Sequence, residues 1–85
     1  MEPHIPVKIK IIDIEIEQLE AAKFTMGLRE KVNKRLGDKE ALKAAAAAYV
    51  NYEEGIKLLE GEKRKLVKEL ETMIDDSKKG TEKKT

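Results

Sequence analysis

A single series of positions, spaced alternately three and four residues apart, most limits how this chain can fold. The series consists of Leu42, Ala45, Tyr49, Tyr52, Ile56, Leu59, Lys63, Leu66, Leu70 and Met73. This spacing is typical of a coiled-coil helix, which packs one apolar seam against a neighbouring helix. We therefore predict a long helix over residues 39–77, with Lys63 as the one polar member of the seam. The sequence leaves open whether the helix breaks at Gly61.

A second helix is predicted before this one, over residues 13–36. Gly37 follows it at the position where glycine commonly ends a helix, and Asp38 can cap the next helix at its N-terminus. With only these two residues between them, the helices must run in opposite directions. We predict a mainly α fold, an antiparallel helical hairpin that resembles a coiled coil.

The residues before the first helix alternate between apolar and polar. Ile5, Val7, Ile9 and Ile11 share one side of the pattern, and every one of them is β-branched. Such alternation favours a β-strand, so we predict a short N-terminal strand over residues 5–11. A bulged strand that continues to Ile16 is the alternative to a helix that begins near Asp13.

Two mismatches predict that the chain assembles into an oligomeric helical bundle, as a dimer or a larger homo-oligomer. A lone strand needs a partner, either the same strand of a second copy or the sheet of a different protein. The two predicted helices would measure roughly 36 Å and 58 Å, which leaves about 20 Å of the longer seam uncovered. A second copy or a partner helix would cover it. The predicted contact residues are Ile5, Val7, Ile9, Ile11, Leu66, Val67, Leu70, Met73 and Ile74.

The first predicted helix supports assembly because its apolar residues occupy two faces. Ile12, Ile16, Leu19 and Met26 form one face. Ala21, Phe24, Leu28, Val32 and Leu36 form the other. A helix that is apolar on two sides is buried on two sides.

The composition provides little material for catalysis. The chain has no cysteine, one histidine and one serine, Ser77. Thiolate chemistry, a Ser-His-Asp arrangement and a multi-histidine metal site therefore cannot be assembled within one chain. We expect a non-enzymatic protein without cofactor or metal, which acts through protein contacts as an assembly, adaptor or inhibitory module.

Charge leaves one alternative function. The formal net charge is only +1, so no overall field attracts nucleic acid or an anionic membrane. Basic residues do cluster near the predicted hairpin turn, however, and Arg29, Lys34, Arg35 and Lys39 could contact phosphate. Nucleic acid or another phosphate ligand is therefore the alternative partner.

The chain is short enough to form one domain, which we place at residues 1–78, followed by a flexible polar tail at 79–85. The longest stretch without a charged residue is 44–52, less than half the length that a membrane helix needs. We expect no membrane span and a cytoplasmic location.

Overall fold

The computed structural model describes the backbone of residues 3–83 and the side chains of residues 3–75. Two helices account for nearly all of it: α1 (Ile5–Leu36) and α2 (Lys39–Lys83). They pack against each other as an antiparallel hairpin that measures 73 × 20 × 17 Å. The predicted hairpin is confirmed.

The turn combines a helix stop with a helix start. Gly37 has a φ of 75°, in the left-handed region. The Gly37 N–H donates to the carbonyl of Lys34 (3.3 Å), and the Asp38 N–H donates to that of Asn33 (3.0 Å). These two bonds form a Schellman motif. The Asp38 Oδ1 atom then accepts a bond from the Ala41 N–H (3.1 Å), which caps α2.

The predicted strand over 5–11 is wrong, because these residues form the first two turns of α1. Pro6 lies in the first turn, where its missing N–H has no helical partner to lose. The Lys8 N–H donates to the His4 carbonyl (3.0 Å) and closes that turn. The apolar residues also fit a helix, since Ile5, Ile9 and Ile12 follow four- and three-residue steps. The predicted helix start at residue 13 is therefore eight residues too late.

The α2 seam packs against α1 as its spacing predicts. Every seam member from Leu42 to Leu70 is buried or half-buried, and Ala45 (5% exposed) and Ile56 (8%) are the most enclosed described side chains.

The α2 helix continues through Gly55 and Gly61 without a break. Its end at Lys83 lies beyond the predicted end at 77. Of the predicted tail, residues 84–85 and all side chains lie outside the described part.

Polar contacts between the helices show how they are aligned. The Lys63 Nζ atom, in the one polar seam position of α2, lies 2.7 Å from an Asp13 carboxylate oxygen. The Lys23 Nζ atom lies 4.0 Å from a Glu53 carboxylate oxygen and 5.1 Å from the centre of the Tyr49 ring. Since Asp13 meets Lys63, the first residue of α1 lies level with residue 71 of α2.

That alignment changes the predicted overhang. The added turns of α1 reach Leu66, Val67 and Leu70, which are half-buried. Met73 (59% exposed) and Ile74 (48%) lie beyond the start of α1. The uncovered part of the α2 seam at this end is therefore shorter than the sequence predicts.

The turn geometry predicts opposite effects for two glycine substitutions. Gly37→Ala should destabilise the protein by about 1 kcal/mol, because an L-residue is strained at this φ. Gly61→Ala, the matched control, should stabilise it by up to about 1 kcal/mol, because the helix there is regular and the added methyl group meets only the end of the Arg64 side chain at 3.9 Å. Urea unfolding of both variants measures these changes. Equal effects would contradict the left-handed turn.

The helical start of α1 predicts a position-dependent effect of proline. Pro6→Ala should change the free energy of unfolding by less than about 0.5 kcal/mol. Lys10→Pro should cost about 3 kcal/mol, because Lys10 is exposed but its N–H lies inside the helix. Urea unfolding measures both. If residues 5–11 formed an edge strand instead, Lys10→Pro would be nearly as well tolerated as Pro6.

Candidate interaction surface

A second apolar seam runs along the face of α1 that points away from α2, and we call it the outer seam. Its members follow alternating four- and three-residue steps from Val7 to Val32. They are Val7, Ile11, Ile14, Gln18, Ala21, Thr25, Leu28 and Val32. The outer seam is offset by two residues from the seam of α1 that faces α2, which begins with Ile5, Ile9 and Ile12. At 100° per residue this places it about 200° around the helix, on the opposite side.

The outer seam is open to solvent in the single chain. Val7, Ile11, Ile14, Leu28 and Val32 are 45–55% exposed. The hydroxyl of Thr25 donates to the Ala21 carbonyl (3.0 Å), so its hydrogen-bonding need is met within α1. Gln18 is the other polar member, and it is exposed. The seam is thus a mainly apolar stripe about 37 Å long.

Two larger apolar side chains widen this surface. Phe24 is 68% exposed on one edge of the outer seam, and Leu36 is 75% exposed on the other edge. Together with the five aliphatic residues of the seam, they place on α1 seven of the eleven large hydrophobic side chains that are exposed in the described part of the chain. Exposed patches of this extent mark interaction surfaces in soluble proteins.

Charged residues flank the outer seam in three blocks along α1, of which the first is the basic pair Lys8 and Lys10 at its start. Glu15 and Glu17 lie on opposite edges in its N-terminal half, and Arg29 and Lys31 lie on the corresponding edges in its C-terminal half. All four are exposed. Flanking charges of this kind set the orientation and register of paired helices.

The chain exposes more surface than a compact protein of its mass. The chain has an accessible area of 7188 Å². A compact protein of this mass, 9.7 kDa, has about 5,100 Å². The excess of about 2,000 Å² per chain is larger than the roughly 800 Å² that each partner buries in an interface of standard size.

The exposed apolar residues of α2 do not form a comparable surface. Val50 and Leu58 (73% exposed) are eight residues apart, which separates them by about 80° around the helix. Met73 and Ile74 form a small apolar end beyond the start of α1. These four residues provide no continuous seam.

The predicted contact residues fall into three groups. Ile5, Ile9, Leu66, Val67 and Leu70 are half-buried and belong to the contact between α1 and α2. Val7 and Ile11 lie on the outer seam, and Met73 and Ile74 lie at the apolar end. The strand prediction placed Ile5 and Val7 on one face, whereas the helix places them on opposite faces.

Most of the outer seam was missed by sequence reasoning. The prediction of a second apolar face on α1 identified Ala21, Phe24, Leu28, Val32 and Leu36, but assigned Val7 and Ile11 to a strand. The steps from Val7 to Ile11 and Ile14 continue backwards from the same heptad spacing. Extending that spacing through the predicted strand would have revealed the complete seam.

A groove of about 690 Å³ runs along one side of the hairpin, between α1 and α2. Tyr49, Gly27 and Ile56 line it, and Phe24 and Lys31 also border it. A methyl group added at Gly27 would lie 3.7 Å from the Tyr49 ring, which is an ordinary van der Waals contact, so the ring packs over this part of α1 with room for a small side chain. The groove is wide open, and its charged border of both signs does not select a particular ligand.

The predicted phosphate contacts gather only in part. Lys34 and Arg35 lie in the last turn of α1, and Lys39 begins α2, so these three share the turn end of the hairpin. Arg29 lies nearly two turns earlier, beside the outer seam. All four are exposed. Asp38 and Glu40 stand among them and reduce the positive potential.

Neither described helix contains an apolar stretch long enough to cross a membrane. The chain was also compared with known proteins. Protein-family models, curated proteins and solved structures provide no match.

Proposed function

We propose that this protein is a non-enzymatic assembly module of the cytoplasm that associates with itself through the outer seam of α1. The single observation that carries the proposal is a second heptad seam, exposed along nearly the whole of α1. Such a seam loses its contact with water only when another helix packs on it. In this assembly each copy presents the surfaces of α2 and the turn to further partners, as an adaptor or an inhibitory module would.

The small buried area of the hairpin also supports self-association. Among the described side chains only Ala45 and Ile56 are buried, and both lie in the first half of α2. Two helices alone cannot enclose a core, because each contacts the other along one stripe. A second pair of helices would cover the other stripe of α1 and add the burial that a stable small domain needs.

The proposal predicts that one polar substitution on the outer seam disrupts the assembly. Burying a leucine contributes about 2 kcal/mol. A symmetric dimer buries Leu28 twice, so Leu28→Gln should raise the dissociation constant about 1,000-fold. Sedimentation equilibrium over a range of concentrations measures this constant.

Leu58→Gln is the matched control, since Leu58 is exposed but lies on α2, away from the outer seam. It should leave the dissociation constant unchanged. A wild-type chain that stays monomeric at high micromolar concentration would contradict the proposal. Equal weakening by both substitutions would show that the outer seam is not the contact.

Phosphate binding at the turn end is a second candidate, because the structure brings Lys34, Arg35 and Lys39 together there. Binding of this kind loses affinity steeply with added salt. We therefore expect any binding of a short duplex oligonucleotide to weaken at least about tenfold between 50 and 200 mM salt, and Lys34→Gln/Arg35→Gln to abolish it. Fluorescence anisotropy measures the affinity. A lack of binding at the lower salt concentration would eliminate this candidate.

A further inference from the structure

The partner of the outer seam can be specified further, on the basis of the proposed function. We infer that α1 pairs with α1 of a second copy in antiparallel orientation, about a two-fold axis at the level of Lys23. The inference comes from the charges that flank the seam and from the steps of the seam itself.

The seam spacing permits only a few antiparallel registers. In an antiparallel pair, each core layer contains one seam residue from each copy. One of the two follows the previous seam residue of its own helix by three positions, and the other follows it by four. Permitted registers therefore differ by whole heptads. In the register centred on Lys23, Ile14 meets Val32 of the second copy, and Ala21 meets Thr25 of the second copy.

Charge selects this register among the permitted ones. It places Glu15 beside Arg29 of the second copy along one edge of the seam. Along the other edge it places Glu17 beside Lys31 of the second copy. The two-fold axis repeats both contacts, so four pairs of opposite charge flank one interface. Complementary flanking charges of this kind determine partner orientation more than they add affinity.

The neighbouring registers lack these contacts. A shift of one heptad that moves the two-fold axis towards the N-terminus of α1, to between Leu19 and Glu20, places Lys10 beside Lys31 of the second copy, which is a pair of like charges. A shift in the other direction separates both Glu–basic pairs. A parallel pair in register would have one pair of opposite charge per copy, between Lys10 and Glu15 of the second copy. The antiparallel pair therefore has twice as many favourable contacts, without a like-charge contact.

The same register also suits the sizes of the side chains at its centre. Small residues, Ala21, Ala22 and Thr25, lie around the axis on and beside the seam. They let two helix backbones approach closely. Phe24, the largest exposed apolar side chain of α1, lies on the edge where it meets Phe24 of the second copy. The pair would cover both rings.

A charge-swap experiment tests the register. Glu15→Arg and Arg29→Glu should each raise the dimer dissociation constant about tenfold, since each creates like-charge contacts twice per dimer. The double variant Glu15→Arg/Arg29→Glu should return it to within about twofold of the wild-type value. Neither position has a charged residue three or four places away on α1, so helix stability barely changes. Failure of the double variant to recover would overturn the register.

Cysteine cross-linking tests the orientation, and the chain offers a cysteine-free background. In the antiparallel pair, Ile14 and its own counterpart lie about 27 Å apart along the axis. Ile14→Cys alone should therefore give no disulfide-linked dimer under mild oxidation. The double variant Ile14→Cys/Val32→Cys should give one, because the cysteine that replaces Ile14 in each copy then faces the cysteine that replaces Val32 in the other.

The outcomes separate this inference from the proposed function. A wild-type dimer in which Ile14→Cys alone cross-links would be parallel, which overturns the antiparallel pairing but keeps self-association. A wild-type monomer would overturn both. A dimer in which neither cysteine variant cross-links, and which Leu28→Gln leaves intact, would use another surface.

Discussion

The whole structure depends on the limited contact that two helices can make with each other. Two packed cylinders share one line of contact, so a hairpin buries one stripe of each helix and leaves everything else in water. In this chain the consequence is direct: two described side chains are buried, and both belong to α2. Any further apolar surface can be covered only by a partner outside the hairpin. The α1 helix has such a surface and α2 largely does not.

The short turn determines how the two helices are aligned. Its two residues close a Schellman motif and cap α2, so the chain reverses without slack. The ion pair between Lys63 and Asp13 then holds the same alignment at the other end of the hairpin. Exposed pairs of this kind contribute little stability, but a polar residue in a coiled-coil seam favours one register over its neighbours. In this alignment α1 is a long helix, and the outer seam runs along most of its length.

The sequence was sufficient to predict α2, the turn and the antiparallel hairpin, because the sequence pattern of each of them indicates one structure. A seam in steps of three and four residues is typical of a helix, and Gly37 followed by Asp38 between two helical patterns indicates a stop and a restart. The pattern from Ile5 to Ile11, in contrast, fits both a helix and a strand. Two heptad seams offset by two residues place an apolar residue at every second position, as a half-buried strand does. Pro6 is equally suited to a strand edge and to the first turn of a helix.

The two seams of α1 also restrict the shape of the proposed assembly. Because they lie about 200° apart, α2 and the α1 helix of a second copy would pack on opposite sides of the same helix. The four helices would then form a flat layer, with the two α1 helices in the centre and an α2 helix at each edge. A square bundle would require the seams to lie about 90° apart. The proposed order would account for the apolar residues on two sides of α1 and the single apolar side of α2, because a central helix has neighbours on two sides and an edge helix has a neighbour on one.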